Sequence, residues 1–179
     1  MFFDNPLKKY LILDIEGNSA SKEEERKITQ FSALLIENNE IKEINLLNRN
    51  VNYISSFASH LTHISLKKCK VNGVSERHLI NEIHKLLENC DMVYAYGCDF
   101  DKRIIKYMFN KYKLNEVNIH WIDLIDEVKS KLNPSRAKLS IAAKENGFES
   151  DNFHNALTDC YAIYHLMKKI EEKEGAMVD

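Results

Sequence analysis

The chain has no Cys-x-x-Cys pair and no zinc-ligand spacing among its four cysteines, Cys69, Cys90, Cys98 and Cys160. That pattern excludes a disulfide framework or zinc module legible from sequence, and it fits reduced thiols in the core of a cytosolic protein. No stretch approaches the roughly eighteen consecutive apolar residues of a membrane-spanning helix. The opening Met-Phe-Phe-Asp-Asn-Pro lacks the basic region and long apolar region of a secretory leader. A soluble, cytoplasmic protein with no membrane partner is the expectation. Net charge is scarce too, at -2, so no global positive field advertises nucleic acid, although acids gathered in one metal site would mask a modest basic surface. There is no internal repeat and no linker. With 179 residues, 44% of them hydrophobic and 29% charged, the chain is predicted to form one compact α/β domain over residues 1–179, its charged end at 171–179 fraying.

Against these absences stands Tyr10-Leu-Ile-Leu-Asp-Ile-Glu-Gly-Asn18. It reads as a buried strand whose tip carries two carboxylates. Side chains alternate across a strand, so Leu11, Leu13 and Ile15 share one face while Ile12, Asp14 and Glu16 share the other. Two acids pointing the same way beside an apolar core repel each other and lose hydration, a cost that a divalent cation offsets through oxygen ligation. A strand simply running out into solvent is the plainer alternative.

Further along, Ser19 to Lys27 is a polar connection. Ile28 to Ile36 and Ile41 to Val51 read as strands joined at Asn38-Asn39, completing a three-stranded antiparallel meander. Ser55 to Lys70 suggests short helices. A helix is predicted from the N-cap Ser75 to about Cys90, with Leu79, Ile83, Leu86 and Leu87 at helical spacing. Met92 to Tyr96 is a strand leading through Gly97 into a helix with Ile104, Ile105, Met108 and Phe109. Val117 to Leu124 and Ile125 to Leu132 repeat that strand-to-helix order before Asn133-Pro134, as crossover units of a parallel sheet do. Leu139 to Asn146 is a helix closed by Gly147, and a last helix runs from about Asn155 to Glu172.

Asp159 falls within the apolar stripe Ala156, Cys160, Ile163, Met167 and Ile170 of that last helix. A buried Asp needs a partner, either a metal or a salt bridge. His154, just before the helix, suits a capping or a catalytic role. Asp101 and Asp99 each suit the N-cap of the helix that follows them.

Taken together, Asp14-x-Glu16, Tyr96-Gly-Cys-Asp-Phe-Asp101 and His154-Asn-Ala-Leu-Thr-Asp159 resemble the three motifs of the DEDDh 3′-5′ exonucleases, in order and spacing. The founding member of that family is the proofreading subunit of a bacterial replicative polymerase. Ile54 to Ser65 and Leu139 to Phe148 are similar to segments of the branch containing the histone-mRNA 3′-exonuclease and its bacterial sporulation-pathway relatives. Three positions depart from the pattern: Gly17-Asn18 where many relatives have Thr or Ala, His63 where they have Gly, and Tyr96-Gly97 where proofreading relatives have His-Asn.

The resemblance implies a ribonuclease H-like fold, a mixed five-stranded sheet of an antiparallel meander plus two parallel strands, with helices on both faces. It implies two Mg²⁺ or Mn²⁺ ions held by Asp14, Glu16, Asp101 and Asp159, with His154 taking a proton from the attacking water. Gly17, Asn18, Leu61, Thr62 and Phe100 are expected to line the seat of the terminal nucleotide. Lys67, Lys68 and Lys70, or Lys102 and Arg103, are candidates to meet upstream phosphates, although such runs are most often solvated surface. The expected partner is single-stranded nucleic acid, RNA favoured over DNA, and the expected activity removes nucleoside 5′-monophosphates from a 3′ end. A DNA-directed exonuclease, a regulatory module acting through protein contacts, and a structural domain in which Asp14 and Asp159 pair with lysines are the alternatives.

Overall fold

The computed structural model describes residues 2–3, 5–22 and 25–176. The apolar opening run forms β1 (Tyr10–Gly17), which pairs antiparallel with β2 (Ile28–Glu37); β2 in turn pairs antiparallel with β3 (Glu40–Leu47). On its other side β1 runs parallel to β4 (Met92–Ala95), which runs parallel to β5 (His120–Asp123). The order β3-β2-β1-β4-β5 puts β1 at the centre, between an antiparallel and a parallel neighbour. The mixed sheet expected from the sequence is therefore present. Asn38 and Asn39 turn the first hairpin with φ of 52° and 64°, left-handed values that asparagine tolerates better than most residues. The exposed edge strand β3 carries Glu40, Lys42 and Glu43, charges that discourage edge-to-edge pairing.

The alternation of β1 divides the core into two layers. Leu11, Leu13 and Ile15 face Phe31, Ala33 and Val93 and are covered by α3 (Glu76–Asn89) and α4 (Asp99–Tyr112). Tyr10 and Ile12 face the opposite way, with Leu34 and Tyr94, and are covered by α7 (Ala156–Gly175), aided by α5 (Ile125–Leu132) and α6 (Leu139–Glu145). Cys160, Ile163, Leu166, Met167 and Ile170 of α7 are all fully buried on that face. Asp14 and Glu16 consequently point toward α7.

The connection from β3 to α3 contains α1 (Ser56–Thr62) and α2 (Leu66–Asn72), each opened by a serine cap, Ser55 to Ala58 N–H and Ser65 to Lys68 N–H. Ser75 caps α3 through His78 N–H at 3.2 Å, as its position predicts. His63 closes α1 at φ 55°, a left-handed conformation that glycine adopts without strain. The strand read from Val117 shortens to His120–Asp123, because Val117 to Ile119 pack beside α4 rather than on the sheet ladder. The expected fraying from 171 gives way to helix as far as Gly175, since Glu171 accepts from Phe2 N–H at 2.7 Å and Glu174 pairs with Lys131 at 2.5 Å; residues 177–179 lie outside the described residues. Cys69, Cys98 and Cys160 are buried and Cys90 is half-buried, all four as free thiols.

Candidate active site

The two acids of β1 sit where the strand leaves the sheet. Asp14 is opposite Ser32 and Glu16 opposite Gln30, and the register then slips between Glu16 and Gly17. Such an irregularity bends a strand end and re-aims its side chains. Burial, followed by the charges of Asp101, Asp159 and Glu16, holds the Asp14 carboxyl well above the usual range. Burial, Asp159 and Asp101 push Glu16 up to about 8.

Asp101 reaches the same place from the first turn of α4. Neither it nor Asp99 caps the helix: the N-cap is Cys98, without a side-chain cap, and Asp101 is 4% exposed inside the first turn. The turn is held instead by Asp123 at the end of β5. Its carboxylate accepts from Gly97, Cys98 and Ile125 N–H, each at 3.0 Å. These bonds outweigh its own partial burial and keep it below the usual carboxylate range, and its charge adds to burial in raising Asp101 to about 8. Gly97 has φ 77° in this turn, where a β-carbon would be strained. Nothing in the sequence reading singled out Asp123. Its only signal was an acid at a strand end two residues before a helix.

His154 and Asp159 come from the entrance to α7. Asn155 caps the helix, accepting from Leu157 N–H at 3.2 Å. His154 precedes it with φ 68°, which turns its own N–H back onto the Asp159 carboxylate at 3.2 and 3.4 Å. Gln30, 2% exposed on β2, accepts from Ala156 N–H at 3.2 Å and thereby ties this entrance to the strand beside Glu16. Burial raises Asp159 to about 6, against the His154 N–H and the charge of Lys138. Burial and Lys138 lower the pKa of the His154 imidazole. Gln30 and Lys138 were also absent from the sequence reading, because neither belongs to a motif and each acts only across the fold.

Ligand atoms of Glu16, His154 and Asp159 lie within 4.8 Å of one another. Asp101 and Asp159 are close enough for their charges to raise both Asp14 and Glu16. Among the described residues no lysine, arginine or histidine forms an ion pair with Asp14, Glu16, Asp101 or Asp159. This overturns the alternative in which Asp14 and Asp159 are neutralised by lysines. Four acids without a direct ion pair, with only the charge of Lys138 acting on Asp159, offer oxygen donors that fit hard divalent cations.

Beside the acids opens a cavity of about 540 Å³, and Gly17, Asn18, Leu61, Thr62 and Phe100 all line it. Its walls are largely spent on themselves. The Asn18 amide accepts from Lys27 N–H at 3.0 Å and donates to Glu25 O at 2.9 Å, and the Thr62 hydroxyl donates to Ala58 O at 2.8 Å. The Thr62 hydroxyl has thus spent its one donor, and Asn18, 2% exposed, is held within the wall. A β-carbon on Gly17 would stand 3.1 Å from the Phe100 ring, so the ring lies close against the strand tip and a larger residue there would displace it by a few tenths of an ångström. Phe100 is 40% exposed.

Comparison with known proteins agrees with this arrangement. Solved structures of exonuclease I superpose on the chain. E. coli exonuclease I in complex with a dT13 oligonucleotide matches with a TM-score of 0.81 at 17% identity, over 96% of this chain and 43% of that one. The complex with dA16 gives 0.79 at 18% identity, over 93% and 42%, and a zinc-bound form with single-stranded DNA gives 0.80 at 18%, over 93% and 41%. At these identities the likeness is one of fold, and the chain spans well under half the length of the proteins it matches. No curated protein sequence matches it. The exonuclease family model RNase_T matches residues 11–167, a span that runs from β1 into α7 and takes in all four acids and His154, and the chain belongs to this exonuclease family, within the DEDDh 3′-5′ exonuclease superfamily.

Proposed function

We propose that the chain is a metal-dependent 3′-5′ exonuclease that removes nucleoside 5′-monophosphates one at a time from single-stranded RNA or short oligonucleotides. The observation that carries this reading is the convergence of Asp14, Glu16, Asp101 and Asp159, none of which forms an ion pair among the described residues, next to a cavity walled by Phe100. Asp14, Glu16, Asp101 and Asp159 would hold two Mg²⁺ or Mn²⁺ ions. When bound, such ions supply Lewis-acid stabilisation of the attacking and leaving oxygens of an in-line displacement. His154 accepts the proton of the attacking water. Its lowered pKa keeps the imidazole neutral near pH 7, the state a base requires. The phosphorus–oxygen bond to the upstream 3′ oxygen breaks, that oxygen is protonated, and a 5′-monophosphate leaves from the cavity. Stacking on Phe100 reads no sequence and contributes about 1–3 kcal/mol per base, which suits a trimming enzyme working on any 3′ end.

RNA is favoured by the similarity of Ile54 to Ser65 to the histone-mRNA exonuclease branch. DNA is the second reading, since E. coli exonuclease I has been captured with DNA oligonucleotides. The deciding experiment incubates the protein, and an Asp14→Ala control, with 5′-labelled single-stranded RNA and DNA in Mn²⁺ or EDTA. A ladder shortening from the 3′ end only with metal and intact Asp14 is the expected result, and the two rates assign the substrate. Intact strands under every divalent ion would move a protein-binding, regulatory role to first place.

A further inference from the structure

Adjoining the 540 Å³ cavity, and sharing Arg26, Phe100 and Ile104 with it, lies a shallow groove of about 70 Å³ whose lining is completed by Arg103 and Tyr107. It has room for a phosphate group and the edge of a ring, not for a whole nucleoside. We infer that this groove seats the strand immediately upstream of the terminal nucleotide, with Arg26 and Arg103 gripping a backbone phosphate while the neighbouring base lies against Phe100 and Tyr107. The inference rests on the exonuclease reading and extends it to a strand-holding site.

The two arginines come from unrelated parts of the chain, the β1–β2 connection and the outer face of α4, yet flank one groove. Arg26 Nε donates to Ala20 O at 3.4 Å and Arg103 Nε to Asp99 O at 3.1 Å, and among the described residues neither forms an ion pair. Each fork is thus steadied at Nε with its terminal nitrogens left over, the arrangement that suits bidentate phosphate recognition. Other basic side chains nearby are committed elsewhere: Lys27 to Glu76 and Asn50 O, Lys106 to Glu116, and Lys102 over the Trp121 ring. The occupant follows from continuity and charge. A polyanion whose last residue enters the cavity must pass Phe100, and this groove is the adjoining surface that offers aromatic faces and unpaired positive charge together.

The test compares wild type, Arg103→Gln and Arg103→Lys on two substrates: a single-stranded 12-mer, and the nitrophenyl ester of thymidine 5′-phosphate, which has a terminal nucleotide and a scissile phosphate but no upstream strand. In Arg103→Gln the 12-mer should lose about 10-fold in kcat/KM, chiefly through KM, and its logarithmic salt slope should flatten by about one. The advantage of the 12-mer over the ester should shrink by the same factor, and Arg103→Lys should restore part of it. Equal losses on both substrates, or no loss on the 12-mer, would overturn the groove. If wild type cleaves neither substrate, the exonuclease reading has failed on its own, and anisotropy of a labelled 12-mer in EDTA then judges the groove: a Kd about 10-fold weaker in Arg103→Gln supports it, and an unchanged Kd rejects it.

Discussion

His154 shows how much depends on a single backbone conformation. Its left-handed φ lets one residue do two things, hold Asp159 through its N–H and present a neutral imidazole to the acids. Replacing it with alanine removes the ring and keeps the backbone N–H, at the cost of some strain at the left-handed φ. His154→Ala should therefore lower kcat by about 10²–10⁴-fold while the protein still binds a 12-mer with Kd within a few-fold of wild type. Turnover and anisotropy on the same preparation check this, and a variant that retains wild-type kcat would remove His154 from the chemistry.

At the scale of elements, the decisive piece is the turn between β4 and α4. Asp101 cannot be placed by its own helix, which lacks a side-chain cap, so the turn is clamped from the next strand by three N–H groups converging on Asp123. Removing that carboxylate orphans the donors and frees the first turn of α4 to shift. Asp123→Ala should cost about 2 kcal/mol in urea unfolding, given that Asp123 is itself well exposed. A displacement of about 1 Å at Asp101 is enough to lower kcat by roughly 10²-fold. A variant with normal kcat would show that Asp101 is positioned by other contacts.

Across the molecule, a buried carboxylate far from the acids ties the layers together. Glu76, 4% exposed at the start of α3, meets Lys111 at 2.7 Å, Tyr112 at 2.8 Å, Asn48 at 3.1 Å and Lys27 at 3.3 Å. Burial alone would raise its pKa; the bonds from Lys111, Tyr112 and Asn48 and the charge of Lys27 bring it down to about 2, from an ordinary 4.5. The folded value lies below the unfolded one, so this stability is present above pH 4.5 and is lost as the pH falls toward 2. It amounts to about 3 kcal/mol. The gap in unfolding free energy between wild type and Glu76→Gln should accordingly narrow by about 1 kcal/mol between pH 6 and pH 3.5; a constant gap would mean the network does not hold the charge. The acids of the site have the opposite sign, with Glu16 and Asp101 near 8, and cations must displace their protons. Mn²⁺ at about 100 times its Kd should raise Tm by about 5–10 °C, more at pH 8 than at pH 6.5, and not in Asp14→Ala. Calorimetry showing no shift at either pH would argue against ion binding.

Periodicity in the sequence determined most of the architecture. The alternation of Tyr10 to Glu16, the turn asparagines, and the apolar stripe of α7 each encode a local preference that the packed fold keeps, because burying those faces is what stabilises it. Asp14, Glu16, Asp101, His154 and Asp159 were each ambiguous alone and were singled out by their joint resemblance, in order and spacing, to the DEDDh motifs. Tertiary structure alone decided what touches across long separations: Asp123 clamping Gly97 and Cys98, Gln30 fastening Ala156, Lys138 acting on His154, and Arg26 meeting Arg103 beside Phe100. It also decided between readings that composition left open, placing Asp101 inside the first turn of α4 rather than at its cap and, among the described residues, leaving Asp14 and Asp159 without a lysine ion pair. These contacts depend on where the chain folds back upon itself, and no spacing along a sequence carries that distance.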